Sequence, residues 1–478
     1  MEYQAPKNGF RTFLLVLCTQ GISVFGNAMT FFATTIWLTQ VLYARPEQRP
    51  QLAFALSAVS LAFAVPTIVF APVAGAWVDR HDRKRTMMLT DFAASALSVA
   101  MATLLLTGAM RLWTLIVILA LSATIAQFHS AGLDTSYAML VPNELLPRAN
   151  GMVQTMFSLT GILAPATAAT IIALPALARQ GRLPGLLSGG LSRLSSGAPL
   201  AIIADAATFL VAAVALLFLY IPSPERADLK VSGKPRKSMW ADVKEGGAYI
   251  VNRRPLLLLL ITFAVANFAM SPTAVFAPLI LKFRLAADWS SRGMTFETAM
   301  ALMGTVTAVG GVAGGFAIST WGGLKKRRVY GILIPLVVSG AAQVVYGLSG
   351  MLFLTIAAAA LIAAMIPVAN SHSQAIWQHQ TPRELQGRVF AVRRVIAQFT
   401  YPLSTAMAGW ASAKLNPGSA MAALGVVAFV VTLTQIFNPA LVRVEDKEWL
   451  DRMAAIRTGT GQVNRQSEPV AGDHPRSG

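Results

Sequence analysis

Cysteine is almost absent from this chain: Cys18 is the only one in 478 residues. An intramolecular disulfide is therefore excluded, and the residue reads as a small helix-packing side chain. Charge is scarce as well. Charged residues make up 13% of the sequence, against about 25% in soluble domains. Acids are the rarer sign, 21 against 39 Lys and Arg. Three signatures of catalysis are also missing: the sequence holds no G-x-x-x-x-G-K-[ST] phosphate loop, no H-E-x-x-H metal helix and no G-x-S-x-G elbow. The expectation is a protein that is not an enzyme and uses no metal and no cofactor. The opening MEYQAPKNGF lacks the basic region, short apolar core and small-residue cleavage site of a secretory signal, so the first apolar stretch is expected to stay as a span.

What is abundant is apolar surface. Hydrophobic residues are 55% of the chain and the mean hydropathy is +0.57, the composition of an integral membrane protein. A helix needs about 20 apolar residues to cross a ~30 Å hydrocarbon core. Reading apolar stretches in order predicts spans near 11–42, 52–78, 86–110, 112–140, 147–173, 199–221, 255–281, 296–321, 328–349, 351–379, 386–413 and 418–442, an all-α fold. A formal charge of +18 raises nucleic-acid binding as an explanation, but topology accounts for it. With the N-terminus in the cytoplasm, 29 of the 39 Lys and Arg fall on the inner side. The short clusters Arg80/Arg83/Lys84/Arg85 and Lys325/Lys326/Arg327/Arg328 alone set that orientation. No nucleic-acid partner is needed, and both termini are expected in the cytoplasm.

A polar segment, 222–254, carries eight basic and four acidic residues and divides the spans six and six. The expected organisation is an N-terminal six-helix bundle (1–221), a cytoplasmic linker (222–254), a C-terminal six-helix bundle (255–443) and a disordered cytoplasmic tail (444–478). After the eighth span, GGVAGGFAISTWGGLKKRRV echoes the run GAWVDRHDRKRT at 75–86: small residues for close helix packing, then a short cationic loop. The acid is missing from the second copy. Such a degenerate repeat fits two halves related by an axis along the membrane normal.

The run at 75–86 carries a recognisable pattern. Gly75, Asp79, Arg80, Arg83, Lys84 and Arg85 fall on the G-x-x-x-D-R-x-x-R-K-x motif found between the second and third helices of major facilitator superfamily transporters, which the chain resembles. Asp82 stands where that pattern usually has glycine and brings no obvious new chemistry. TQGISVFGNAMT, LPRANGMVQ, IADAATFLVAA and TPRELQGRVFAVRR further resemble the transmembrane secretion effector branch, which includes enterobactin and macrolide exporters. The resemblance implies two bundles around a central cavity. It also implies a cytoplasmic gate in which Asp79 docks against a helix N-terminus near Gly387 and Arg388 while the arginines bind helix-end carbonyls or carboxylates. In the fifth span, Gly161 and Pro165 belong to a helix-packing signature that has lost two of its glycines to alanine, which weakens it as a sign of antiport.

Coupling to an ion gradient needs a titratable group within the membrane, where acids are costly enough to suggest function. Only Asp91, Asp134 and Asp205 lie within expected spans. Asp91 is one to two turns past Arg83–Arg85 and is expected to form a structural salt bridge with them. Asp205 matches the D-A-x-x-F pattern of the resembled branch but sits near the outer surface, where solvation is expected. Asp134 is the first choice for proton coupling and Asp205 the second. Gln127, Ser130, Asp134 and Tyr137 recur at helical spacing and form one stripe on the fourth span. Span one offers Gln20, Ser23, Asn27 and Thr30, span seven Asn267 and Ser271, and span ten Asn370, Gln374 and Trp377. These are expected to line the cavity. His129 lies about 200° around the helix from Gln127 and reads as a hydrogen-bonded packing histidine.

The resulting expectation is a secondary active efflux transporter in a bacterial inner membrane. It would export a bulky amphipathic small molecule of siderophore, macrolide or peptide type by proton antiport and alternating access. A facilitator-type importer or multidrug transporter is the runner-up, and a membrane-bound enzyme a weaker alternative. Its partners would be the substrate, protons and the lipid bilayer, and the chain is expected to be a monomer.

Overall fold

The computed structural model describes residues 8–78, 81–142, 145–221 and 239–458. Asp79 and Arg80 of the gate motif, much of the linker and the end of the tail lie outside them. Among the described residues there are helices and no strands. The spans, numbered in chain order, are Gly9–Trp37, Arg49–Val78, Arg83–Leu106, Leu112–Leu140, Leu146–Arg179, Ala198–Phe218, Arg254–Met270 with Thr273–Phe283, Phe296–Trp321, Tyr330–Leu348, Leu352–Gln380, Arg383–Lys414 and Pro417–Ile436. Eleven of these are long and apolar enough to cross a membrane. The remaining one, Arg383–Lys414, has 32 residues, about 48 Å of helix, and is less apolar because four arginines cluster in its inner half and Gln, Tyr, Pro, Thr and Ser dilute the rest. The face that carries the cationic loops is called inner.

Packing repeats with a shift of six spans. Span three packs on six, two on four, three on four, one on six and one on five; correspondingly nine packs on twelve, eight on ten, nine on ten, seven on twelve and seven on eleven. The two most extensive contacts between bundles, two with eleven and five with eight, also exchange under that shift. This is the axial repeat that the two cationic loops suggest. Small residues permit the close approaches. A Cβ at Gly310 or Gly314 would fall 2.3 or 2.0 Å from the carbonyls of Ala360 and Ala364 on span ten. The GGVAGG run is thus a backbone-to-backbone seam. Large apolar side chains such as Phe218, Phe316 and Trp410 point outward and stay exposed, the surface a lipid environment covers.

Local chemistry fixes the helix ends. Asp82 caps span three, its Oδ1 accepting from the Arg85 amide at 2.7 Å. The residue that replaces the motif's glycine therefore does contribute, by satisfying an orphan N–H at a helix start. Span seven is cut at Ser271–Pro272, because Pro272 has no N–H to continue the ladder. There the Asn267 carbonyl accepts from both the Ser271 amide (2.9 Å) and its hydroxyl (2.6 Å). Span one ends in a π-turn, Leu38–Leu42.

Two helices lie in segments read from sequence as connection and tail. Met239–Asn252 occupies part of the linker, and Lys447–Thr458 part of the tail expected to be disordered. The tail helix is held because Leu450 is buried and Asp451 binds the Arg253 guanidinium at 2.8 Å. That guanidinium lies over the Tyr249 ring at 3.8 Å, and Tyr249 donates to the Gln380 carbonyl.

Candidate functional site

The polar residues of the N-terminal bundle converge between spans one, three, four and six. Thr30 and Ser98 donate to Asp205 Oδ2 at 2.7 and 3.0 Å. Gln20 Nε2 donates to Asp91 Oδ2 at 3.3 Å. His129 Nε2 lies 2.8 Å from Gln20 Oε1 and 3.1 Å from Asp91 Oδ1. Asp91 and Asp205 are each 1% exposed, and both line one cavity of about 120 Å³, with Ser23, Asn27, Thr30, Ser98 and Ser130 also in its wall. Gly26 makes this possible: a Cβ there would sit 2.2 Å from Thr208 Oγ1 and 2.7 Å from Asp205 Oδ1.

Two expectations change here. Asp91 does not pair with Arg83–Arg85; its partners are His129 and Gln20. Helix rotation explains the difference, since the acid faces spans one and four while the cations stay at the inner end. Asp205 is not solvated. It sits in the third turn of span six, deep enough for spans one and three to cover it.

The other named residues are dispersed. Asp134 is exposed on the inner half of span four, Gln127 is half-buried with its amide 3.5 Å from Thr67 Oγ1, and Tyr137 is packed in an apolar core edge-on to Phe13. The stripe at helical spacing thus includes one residue that faces protein, because its ring fills space between spans one and four. In the other bundle Trp377 is likewise core, 1% exposed. The Arg393 guanidinium lies over it at 5.2 Å and donates to Gln374 Oε1 and Ser373 Oγ at 3.0 and 3.1 Å. Asn370 and Gln374 are exposed, and Asn267 and Ser271 flank the break in span seven. His372 is structural: the Leu324 amide donates to its Nε2 at 2.8 Å, so the proton is on Nδ1, which meets the Val368 carbonyl at 2.8 Å.

Around the cationic loop, Arg83 is buried and donates to Met139 Sδ and the Thr135 carbonyl, and Lys84 donates to the Leu217 carbonyl at the end of span six. Gly75 has open space around its Cα hydrogens. In span eleven, where Gly387 also lies, Arg388 binds Glu245 of the linker helix at 2.6 Å, and its backbone presses on Gly246. Gly161 and Pro165 lie on the face of span five that meets span eight, within 3.5 Å of Ala308 and 3.4 Å of Gly304 respectively, measured to an added Cβ on the glycine of each pair.

The bundles are joined in their outer halves. Lys282, at the outer end of span seven, donates to the carbonyls of Thr39 and Tyr43 beyond span one, the latter at 2.7 Å. Ser57 donates to the Thr405 carbonyl at 2.9 Å, and Thr305 to that of Ile162 at 2.9 Å. Nearby, a hollow of about 680 Å³ between spans two, four and eleven is lined almost wholly by apolar side chains, among them Phe54, Trp113 and Trp410.

Two six-helix bundles with buried acids in one of them and a clasp across their outer halves define a multi-pass membrane transporter. Residues 16–403 match the Major Facilitator Superfamily model, and the chain belongs to that family. It is 23% identical over 398 residues to Macrolide efflux protein A of Streptococcus pyogenes, covering 82% of this chain and 87% of that one. It is 24% identical over 358 residues to the protein of the same name from Enterococcus faecalis, covering 73% and 98%. Among solved structures, the nucleoside transporter NupG superposes with a TM-score of 0.64 at 10% identity, covering 89% of this chain and 98% of that one. A bacterial homologue of the lysosomal transporter Spinster in an inward-facing conformation gives 0.59 at 15% identity, covering 96% and 98%. These structural likenesses carry the fold.

Proposed function

We propose that the protein is a secondary efflux transporter that exports a bulky amphipathic small molecule, of macrolide, siderophore or peptide type, by alternating access and proton antiport. The observation that supports this reading is the outer clasp: hydrogen bonds from Lys282, Ser57 and Thr305 join the two bundles across their outer halves, beside the packing of spans two with eleven and five with eight. Rocking about the contacts of spans two with eleven and five with eight exchanges inner for outer access. The export direction is supported by the named relatives, both efflux proteins. In this reading the chain works as a monomer in a bacterial inner membrane with both termini in the cytoplasm, an orientation that the cationic loops support.

The cycle requires an acid that takes a proton on one side and gives it up on the other. Of the two candidates read from sequence, Asp205 is supported over Asp134, because it is buried and lines a cavity whereas Asp134 is exposed. For the gate, the Arg388–Glu245 pair, which ties span eleven to the linker helix, supports the start of span eleven as the partner region. The test is accumulation of a macrolide in cells with and without the gene, each with and without a proton uncoupler. Lower accumulation that depends on the gene and is reversed by the uncoupler is expected. Equal accumulation in all four samples removes the macrolide, and a gene-dependent rise points to import.

A further inference from the structure

The hydrogen-bonded cluster on spans one, three and four has no part in the cycle so far, although its acid, Asp91, is only 1% exposed. We propose that Asp91, held by Gln20 and His129, is a second proton-binding site that drives export together with Asp205 on the same cavity. The inference rests on the proton-antiport reading above and adds a site to it.

Four observations carry it. First, each acid keeps one buried oxygen without a hydrogen bond: Asp91 Oδ1 and Asp205 Oδ1. A carboxylate kept only for structure in a membrane interior is normally satisfied on both oxygens, whereas one that binds a proton needs a free oxygen to receive it. Second, the hydrogen-bond order fixes where protons already are. His129 Nε2 faces only acceptors, Gln20 Oε1 at 2.8 Å and Asp91 Oδ1 at 3.1 Å, so it carries a hydrogen. The aligned bond goes to Gln20, which leaves Asp91 Oδ1 unfilled. Third, the cavity of about 120 Å³ holds a few waters but not a bulky metabolite, since drug-sized ligands occupy about 300–1,000 Å³. It suits a proton and its water path. Fourth, Asn27 and Ser130 are exposed at the rim of that cavity, which gives water an entry.

The chemistry is a single association. One proton adds to Asp91 Oδ1, the carboxylate becomes a neutral carboxyl, and loss of the proton restores the charge; no other bond changes. A second proton on the His129 ring turns the contact into an imidazolium–carboxylate pair. The charged and titratable groups that face Asp91 are His129 from span four and Asp205 from span six. Span one contributes the uncharged Gln20, Ser23, Asn27 and Thr30. Asp134 is five residues toward the inner side from His129, and Arg83, Lys84 and Arg85 are at the inner end of Asp91's own helix.

The experiment uses the full-length chain in proteoliposomes. An infrared titration reads the carbonyl band of protonated carboxyl groups without any substrate. Separately, a macrolide probe is followed in uphill accumulation under an imposed pH gradient and in exchange without one. The expected result is that Asp91→Asn loses one pH-dependent carboxyl band and loses uphill accumulation but still exchanges labelled for unlabelled macrolide. His129→Gln, which keeps a donor toward Gln20, should still accumulate macrolide with a displaced pH profile. Uphill accumulation by Asp91→Asn with the parental pH dependence, or an unchanged set of bands, overturns the proposal. So does a parental protein driven by a sodium gradient alone with no band that titrates. If the parental protein moves no macrolide at all, the substrate reading fails, and the infrared titration still decides the proton site.

Discussion

At the scale of single residues, the molecule's sensitive points are contacts with no slack. Gly26 is one: the Cβ of an alanine would meet both the Thr208 hydroxyl and the Asp205 carboxyl, and would come within 3.0 Å of the Asp205 Cα. Gly26→Ala is expected to cost about 1–3 kcal/mol, the range for overpacking, and to disturb the acid as well as the fold. A thermal-shift measurement in detergent checks the first, and an unchanged melting temperature would show that spans one and six can move apart. Asp82 is another. Its side chain is the N-cap of span three, so Asp82→Ala is expected to lower stability by about 1 kcal/mol, while Asp82→Asn, still an acceptor, loses less. Equal loss in both variants would mean that the carboxylate charge, and not the cap, is what counts.

At the scale of elements, the short helix Ala286–Ser291 that follows span seven is tied to span ten through one carboxylate. Asp288 accepts from the Arg292 guanidinium and from the Leu352 amide at 2.8 Å, which hold its carboxyl below the usual carboxylate range. A depressed value means the folded state favours the ionised form. The stabilisation is therefore present above the unfolded-state value, about 3.9, and is lost as pH falls through the folded one. Asp288→Asn is expected to melt below the parent at neutral pH, with the gap closing in strong acid; a gap constant with pH would contradict this. At the inner end, Leu450→Ala is expected to cost about 2–5 kcal/mol, since the tail helix is docked by a side chain only 1% exposed. Limited proteolysis of the tail reads the loss. The spans themselves were legible in the sequence, because length and apolarity are set by the bilayer and not by neighbours. Span eleven was legible too, despite its arginines. The docked tail was not, since its polar composition conceals two apolar residues that bury only once Arg253 meets Asp451. The Asp91–His129 pair was hidden for a related reason. Periodicity says which residues share a face, but the partner of that face depends on how two helices 38 positions apart are rotated.

At the scale of the whole molecule, the two bundles meet along spans two with eleven and five with eight, and a clasp of hydrogen bonds crosses their outer halves. Lys282 is a cation at the C-terminal end of span one, where carbonyls released by the π-turn attract it. Lys282→Met removes that attraction and is expected to raise the population open to the outside. Because Cys18 is the only native thiol, a Cys18→Ser background makes the measurement clean: a cysteine placed at the fully buried Leu279 should react faster with an impermeant thiol reagent in the Lys282→Met variant. No change in rate would mean that apolar packing alone holds the outer side shut. The break at Ser271–Pro272 gives this clasp its mechanical character. A continuous helix would be a stiff beam, and any tilt at its outer tip would be felt at its inner foot. Cut at mid-depth, span seven is two short pieces on one pin: Arg254–Met270 packs on spans eleven and twelve, while the piece bearing Lys282 also reaches span two of the other bundle. A tilt imposed at the clasp is thereby expected to stop at the pin and leave the inner foot of the span where it is.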